Sequence, residues 1–525
     1  MRTIREIDHE RLVVQEALDN RRTRAERNEL GQFATPPALA LEMAKYAREL
    51  LPKKAAIRFL DPAIGTGAFF AAMRQVFPSF RITAARGVEI DQALAAEAKR
   101  LWAPLGLKVT TGDFTRQNTD REAATLVLTN PPYVRHHHLG QDEKVRLQAA
   151  AADLLGLEVN GLTGLYVYFL LLSDAWMAED ALALWLIPSE FMDVNYGATL
   201  KRYLAERVTL LRIHRFDPRQ VQFGDALVSS AIVVFRKSRP PKGQMANFTY
   251  GGGLLDPERS ESIGADELRT ARKWTQYPRT RRCPATKKPG RLVLGDIFKI
   301  QRGIATGANE FFILPRDEAK RRDLPEKFLR PILPSPRKLH ETVILDSGDG
   351  YPKIPTPLAL IDCSLPEREV RESYPGLWGY LKSAPPDLLA RYLICKRDPW
   401  YGQEERAPAP FLCTYMGRGV GVKKPFRFLL NLSKAIATNV YLMLYPVGRL
   451  AEVLDDDPRL LKTVFELLQA VNADDLRGEG RVYGGGLHKI EPKELGRISA
   501  EVFLKKIDPL RETLARQAEL SFDRA

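Results

Sequence analysis

The sequence has 525 residues and a mass of 59.2 kDa, more than one hydrophobic core usually serves, so two large domains are expected. Its 45% hydrophobic and 27% charged residues are an ordinary globular composition that fits neither a disordered chain nor a fibre. The formal net charge of +14 and pI near 9.5 suit a polyanionic partner, although a merely soluble surface could carry the same excess.

A membrane span needs roughly 20 apolar residues. The longest uncharged apolar stretch, Leu165 to Ser173, ends at Asp174 and reads as a buried helix, so no membrane is expected. The start, charged from Arg2 onward, lacks the apolar core of a secretory signal, and a cytoplasmic protein is expected. Cys283, Cys363, Cys395 and Cys413 lie far apart, which disfavours both a disulfide framework and a zinc knuckle.

In chain order, Ile57 to Leu60, Ile82 to Ile90, Val109 to Thr111 and Ala124 to Thr129 read as strands, and helical patterns at Phe69 to Val76 and Gln92 to Leu101 separate the first three. A helix near Leu165 to Met177, a strand at Ala181 to Ile187 and two runs at Val208 to Phe216 and Ser229 to Phe235 follow. This rhythm predicts an α/β fold, a doubly wound and mostly parallel sheet closed by an antiparallel edge hairpin. Arg239-Pro-Pro-Lys-Gly243 and Gly251-Gly-Gly253 then break the periodicity, which places a boundary near residue 245. Residues 1–245 are expected to form one domain and 246–525 a mixed α+β domain with a helical tail from Leu495 to Ala525.

Candidate chemistry lies at the strand ends. Asp61-Pro-Ala-Ile-Gly-Thr-Gly67 follows the first strand and opens a helix; Gly65 and Gly67 permit a tight turn and, with Ala63, close backbone approach to a ligand. The turn is not a P-loop, and Asp61 would repel a pyrophosphate, so a cationic, phosphate-free cofactor such as S-adenosylmethionine fits better. Glu89, followed by Ile90, ends the second strand where an acid conventionally takes ribose hydroxyls. Asp113 and Phe114 end the third, a carboxylate and a ring suited to adenine.

The fourth strand ends in Asn130-Pro-Pro-Tyr133. Pro131 and Pro132 cannot donate and fix the local backbone, so the Asn130 side-chain oxygen and the Pro131 carbonyl can present two acceptors to a planar amino group. Such acceptors favour a pyramidal nitrogen whose lone pair points at an electrophilic methyl group. Tyr133 offers a stacking face for a base flipped out of duplex DNA. His136-His-His138 has no accompanying carboxylate or cysteine cluster, and no metal is assigned. The loop reads instead as DNA-facing, with Arg135 touching phosphate.

The order Gly31-Gln-Phe-Ala-Thr-Pro-Pro37, Asp61 to Gly67, Glu89, Asp113 and Asn130 to Tyr133 resembles the gamma class of DNA adenine-N6 methyltransferases from bacterial restriction–modification systems. Leu294 to Gly303, Thr306 to Asn309 and Arg481 to Lys489 look like the target-recognition part of Eco57I-like methylases. The resemblance covers the whole chain. It implies that Thr35 closes over the methionine end of the cofactor and that an aromatic before the edge hairpin stacks the flipped adenine, with Phe223 in the matching place and Phe216 also nearby. It also implies site-specific methylation of double-stranded DNA. About thirty residues precede the first cofactor motif, too few for a folded nuclease, so methylation without cleavage is expected, with any cognate restriction endonuclease a separate chain. No internal duplicate is evident, and a monomer is expected.

Two acid-free basic stretches are the expected DNA cleft. One, between Glu267 and Asp296, carries Arg279, Arg281, Arg282, Lys287 and Lys288 with Trp274 and Tyr277. The other, Arg406 to Arg449, carries Arg418, Lys423 and Lys424 beside Phe411, Tyr415, Phe426 and Phe428. Rival readings are an RNA amino-methyltransferase, a protein glutamine N5-methyltransferase and a non-catalytic DNA-recognition subunit.

Overall fold

A computed structural model describes residues 2–119, 122–217, 229–279, 292–419, 424–483 and 486–507. The chain divides into two units, Met1–Pro284 with Tyr483–Gly485, and Ala285–Val482 with Gly486–Ala525.

In the first unit, helix α1 (Ile4–Asp19) opens with a capping box: the Glu6 amide donates to Thr3 Oγ1 and the Thr3 amide to the Glu6 carboxylate. Helix α2 (Arg24–Leu30) follows, and α3 (Pro37–Leu50) starts with a proline whose missing N–H costs a helix nothing there. Then β1 (Ile57–Asp61), α4 (Ala68–Val76), β2 (Ile82–Glu89), α5 (Gln92–Trp102), β3 (Leu107–Thr111) and β4 (Ala124–Thr129) alternate as expected. Helix α6 (Gln141–Leu155) precedes α7 (Leu165–Leu172), whose eight residues are all apolar or aromatic and which is correspondingly buried from Tyr166 to Leu171. Strand β5 (Met177–Pro188), helix α8 (Ala198–Glu206) and strands β6 (Thr209–Arg215), β7 (Ser230–Arg236), β8 (Met245–Gly252) and β9 (Pro257–Gly264) complete one nine-stranded sheet.

Its order is β3-β2-β1-β4-β5-β7-β6-β8-β9, parallel from β3 to β5, with β7 antiparallel to both β5 and β6. This is the expected doubly wound sheet, with two corrections. The β6–β7 pair is not at the edge: β8 runs parallel to β6 and β9 pairs with β8, which extends the sheet by two strands. The expected boundary near 245 therefore falls at the start of β8, inside the first unit. The Pro-Gly punctuation at residues 239–243 marks a connection from β7 across β6 to β8 within one sheet.

The second unit is mixed α and β, as expected. Its largest sheet runs Phe298–Arg302, Tyr441–Pro446, Phe411–Thr414, Phe428–Asn431, Val343–Ile344. One side chain layer packs around Ile332, Leu412 and Tyr441, another around Phe411, Leu442 and Leu468. Of the expected helical tail, Pro492–Leu495 and Glu501–Lys506 are short helices, and residues 508–525 lie outside the described part. Among the described residues no helix is long and apolar enough to cross a membrane.

The turn between β1 and α4 is pinned from behind. The Trp102 Nε1–H donates to the Thr66 carbonyl at 2.8 Å, and a Cβ on Gly67 (φ +97°) would lie 2.5 Å from that nitrogen. Gly67→Ala should lower folding stability by about 1–3 kcal/mol from backbone strain alone, with the overlap adding to it. An unchanged urea midpoint would show that the turn relaxes away from Trp102.

Candidate active site

Parallel register brings the carboxyl ends of β1 to β4 to one margin of the sheet, pairing Asp61 with Gly87 and Glu89 with Thr111. A cavity of about 400 Å³ opens there, a size typical of small-molecule sites. Asp61, Ala63, Gly65, Glu89, Ile90, Asp113, Phe114, Asn130 and Pro132 line it, and Thr35 closes it from the amino-terminal side. Sequence positions 35 to 130 thus converge on one site.

The acids are not equivalent. Asp61 is 1% exposed, and burial drives its carboxyl up to about 7, against the Ala63 amide that donates to it at 3.1 Å. Burial also raises the Glu89 carboxyl, while amides from Asp91 and Gly65, each 2.9 Å away, stabilise its charged form. Asp113 caps the short turn after β3, accepting from the Thr115 amide and hydroxyl, both at 2.8 Å, and lies 3.3 Å from Arg116. Phe114 packs between the Phe169 and Trp176 rings at 5.3 and 5.2 Å while lining the cavity.

Asn130 is held by the segment that crosses it. Its amide nitrogen donates to the Phe33 carbonyl at 3.0 Å and to Thr35 Oγ1 at 3.2 Å. Both amide hydrogens are thereby used, and Oδ1 is left buried with no partner. Pro131 is buried behind it.

Several expected residues lie elsewhere. Tyr133 does not line this cavity: it is 6% exposed, its hydroxyl donates to the Leu186 carbonyl at 3.1 Å, and its ring packs on Phe33 at 5.6 Å. Gly67 serves the packing on Trp102 and is not a lining residue. Phe223, Arg281, Arg282, Lys287, Lys288 and Lys423 lie outside the described residues. Arg135 and Arg418 are exposed, whereas Lys424 donates to the Gln469 carbonyl. The aromatics between the basic residues are core rather than a stacking surface: Trp274, Tyr277, Phe411, Tyr415, Phe426 and Phe428 are all buried. Arg279, in an acid-free stretch of sequence, is paired in space with Glu261 and Glu267. Among the described residues no group of three or more His, Cys, Asp or Glu could hold a metal ion.

The first thirty residues carry no sequence motif pointing to the site, yet α1 and the chain after it supply Arg11, Gln15 and Arg22 to the cavity wall. The Thr3-x-x-Glu6 capping box is the signal that could have placed α1. Asp91 was also missed; it caps α5 through the Ala93 and Leu94 amides and pairs with Arg22.

A twisted α/β sheet with an antiparallel β7 between β5 and β6, a glycine turn after β1 and acids ending the next strands is a Rossmann-like methyltransferase fold. Two family models match the chain: "Eco57I restriction-modification methylase" over residues 106–222, and "Type II methyltransferase M.Eco57I, C-terminal domain" over residues 277–518. The chain belongs to the Eco57I-like restriction–modification methyltransferases. It is 28% identical over 503 residues to Type II methyltransferase M.XamI of Xanthomonas campestris pv. amaranthicola, covering 94% of this chain and 88% of that one. Type II methyltransferase M.AccI of Acinetobacter calcoaceticus is 25% identical, with 90% and 85% covered. In fold it is similar to the Type IIL restriction–modification enzyme MmeI, solved in complex with DNA, with a TM-score of 0.57 at 12% identity over 90% of this chain and 68% of that one.

The crossing segment depends on Gly31. Its φ is +63°, its carbonyl accepts the Tyr133 amide at 3.0 Å, and a Cβ there would lie 2.4 Å from the Tyr133 nitrogen. Gly31→Ala should displace the segment and lower stability by about 2–3 kcal/mol. Hydrogen exchange at the Tyr133 amide should accelerate; unchanged protection there would count against the crossing as the anchor.

Proposed function

We propose that this protein transfers a methyl group from S-adenosylmethionine to the N6 amino group of an adenine at a specific site in double-stranded DNA. The observation that carries this reading is Asn130, whose amide hydrogens are both taken and whose buried Oδ1 is free. A buried, unpartnered acceptor is costly unless a ligand donates to it, and a group with N–H bonds is the ligand it suits. The cavity beside it fits the cofactor: a buried carboxyl at Asp61 for a cationic centre, Glu89 at the end of β2 for ribose hydroxyls, Asp113 and Phe114 at the end of β3 for adenine.

When bound, S-adenosylmethionine supplies a methyl group on a sulfonium centre. Asn130 Oδ1 and the Pro131 carbonyl accept the two N–H bonds of the target amine. As those bonds bend out of the ring plane, the nitrogen's lone pair leaves conjugation and faces the methyl group, and the acceptors bind the developing charge more strongly than the ground state. Buried Glu89 holds the ribose, and the Phe33–Thr35 segment covers the reacting centre. In this reading Phe223 stacks the flipped base, Arg135 and Arg418 meet phosphate, and the second unit reads the sequence. A partner endonuclease would be a separate chain.

The direct test incubates the full chain with isotopically labelled S-adenosylmethionine and duplex DNA, RNA or protein, then sequences methylated bases. Label in N6-methyladenine at a defined duplex site is expected; label only in RNA or a glutamine amide, or none, would overturn the reading. Asn130→Ala should lower single-turnover methylation by about 100-fold or more while DNA affinity changes little. Glu89→Gln should weaken cofactor affinity by about 1.5–3 kcal/mol, read by calorimetry on the folded variant.

Asp61 adds a pH dependence. A carboxyl raised to about 7 by burial is largely protonated below that pH, and a nearby cation favours its charged form. Binding therefore releases a proton, so cofactor affinity should rise from about pH 6 and level off by about pH 8. Asp61→Asn should flatten that profile, and a wild-type profile already flat would exclude Asp61 as the group responsible.

A further inference from the structure

Helix α1 places a cation where the sheet ends alone supply only acids and backbone. Arg11 is 2% exposed, yet it lines the cavity. Its Nε donates to Asp8 at 2.6 Å, and its Nη1 reaches Thr66 Oγ1 at 3.4 Å. Its Nη2 is buried with no acceptor. A guanidinium carries five donors and cannot be neutralised at ordinary pH, so an unmatched buried N–H is a standing cost. Arg11 is also held in place: Glu10 pairs with Arg100 of α5 at 2.6 Å, and the Thr66 hydroxyl donates to Gln15 Oε1 at 2.7 Å.

Of the other arginines of that wall, Arg21 is exposed and two are engaged by protein groups. Arg22 is taken by Asp91 and Gln32, and Arg27 by the Asp19 and Arg22 carbonyls. Across the sheet margin the groups follow the strand order: Asp113 and Phe114 at β3, Glu89 at β2, then the Gly65–Thr66 turn at β1. A ligand with its adenine at β3 and its ribose at β2 directs its remaining portion over that turn, where Arg11 waits beside Thr66.

We propose that Arg11 binds the carboxylate of the cofactor's amino-acid tail, with Thr66 beside it. This rests on the reading that the cavity takes S-adenosylmethionine. The zwitterionic tail would then meet both signs of charge, its carboxylate at Arg11 on α1 and its cationic groups at the acids of the sheet margin. Bidentate pairing of a guanidinium with a carboxylate is geometrically favoured, and burial strengthens it.

The test compares S-adenosylhomocysteine with its decarboxylated counterpart by calorimetry on the full-length protein, so that a ratio of affinities is read from one preparation. The wild type should prefer the carboxylate form by about tenfold or more. Arg11→Gln should lose that preference, and Arg11→Lys should keep part of it. Partial misfolding would lower both affinities together and leave the ratio intact. Equal affinities in the wild type, or an undiminished ratio in Arg11→Gln, would overturn the assignment of Arg11 while leaving the cofactor reading standing. Failure of the wild type to bind S-adenosylmethionine or either analogue would remove the cofactor reading itself and this inference with it.

Discussion

The crossing of residues 31–35 over the turn after β4 decides what Asn130 can do. An asparagine amide can be turned either way by exchanging its oxygen and nitrogen, and only its neighbours choose. Here the Phe33 carbonyl, which can only accept, faces one end of the amide and requires the nitrogen there. The oxygen is thereby committed to the other side, buried and without a hydrogen-bond partner in the protein. Phe33, 97 residues earlier in the chain, thus sets the polarity of the candidate catalytic group, and Gly31 is what lets its segment come close enough.

The cavity is also divided by charge. The sheet margin contributes Asp61, Glu89, Asp91 and Asp113, while α1 and the chain after it contribute Arg11, Arg21, Arg22 and Arg27 beside one acid, Asp19. Some of this difference is spent internally, as where Arg22 pairs with Asp91. What remains is a raised carboxyl on one wall and an incompletely partnered guanidinium on the other. A neutral ligand would leave both costs in place, whereas a ligand carrying both charges offsets both. This is why the site suits an amino-acid derivative with a cationic centre better than a nucleotide phosphate.

The strand-end residues were legible because each is fixed by local rules: an apolar run, then a glycine turn, an acid or a proline pair. Asp61, Gly65, Glu89, Asp113 and Asn130 needed no knowledge of distant partners to be placed at one sheet margin. What was not legible depends on pairing in space. The extension of the sheet through β8 and β9 was hidden because Pro240, Pro241 and Gly243 look like a linker, and only hydrogen bonding to β6 shows otherwise. The acid-free run around Arg279 looked unpaired because its partners, Glu261 and Glu267, precede it. Tyr133 and the six aromatics of the basic stretches have the composition of a stacking surface, yet large rings gain more from burial than from exposure.

That the first helix walls the cavity has a consequence for how binding and folding are linked. Helix α1 touches the rest of the first unit through few apolar groups: Ile7 is its buried aliphatic residue, and Arg11 its other buried one. Much of its attachment is therefore polar, through Glu10 to Arg100 and through Arg11 and Gln15 to Thr66. Polar attachments of this kind contribute modestly in the absence of ligand. A ligand that engaged Arg11 and the strand-end acids together would bridge α1 to the sheet, and its binding energy would add directly to the stability of the docked helix. Cofactor binding would then stabilise the docked amino-terminal segment, and with it the hydrogen bonds that already join Phe33 and Thr35 to Asn130.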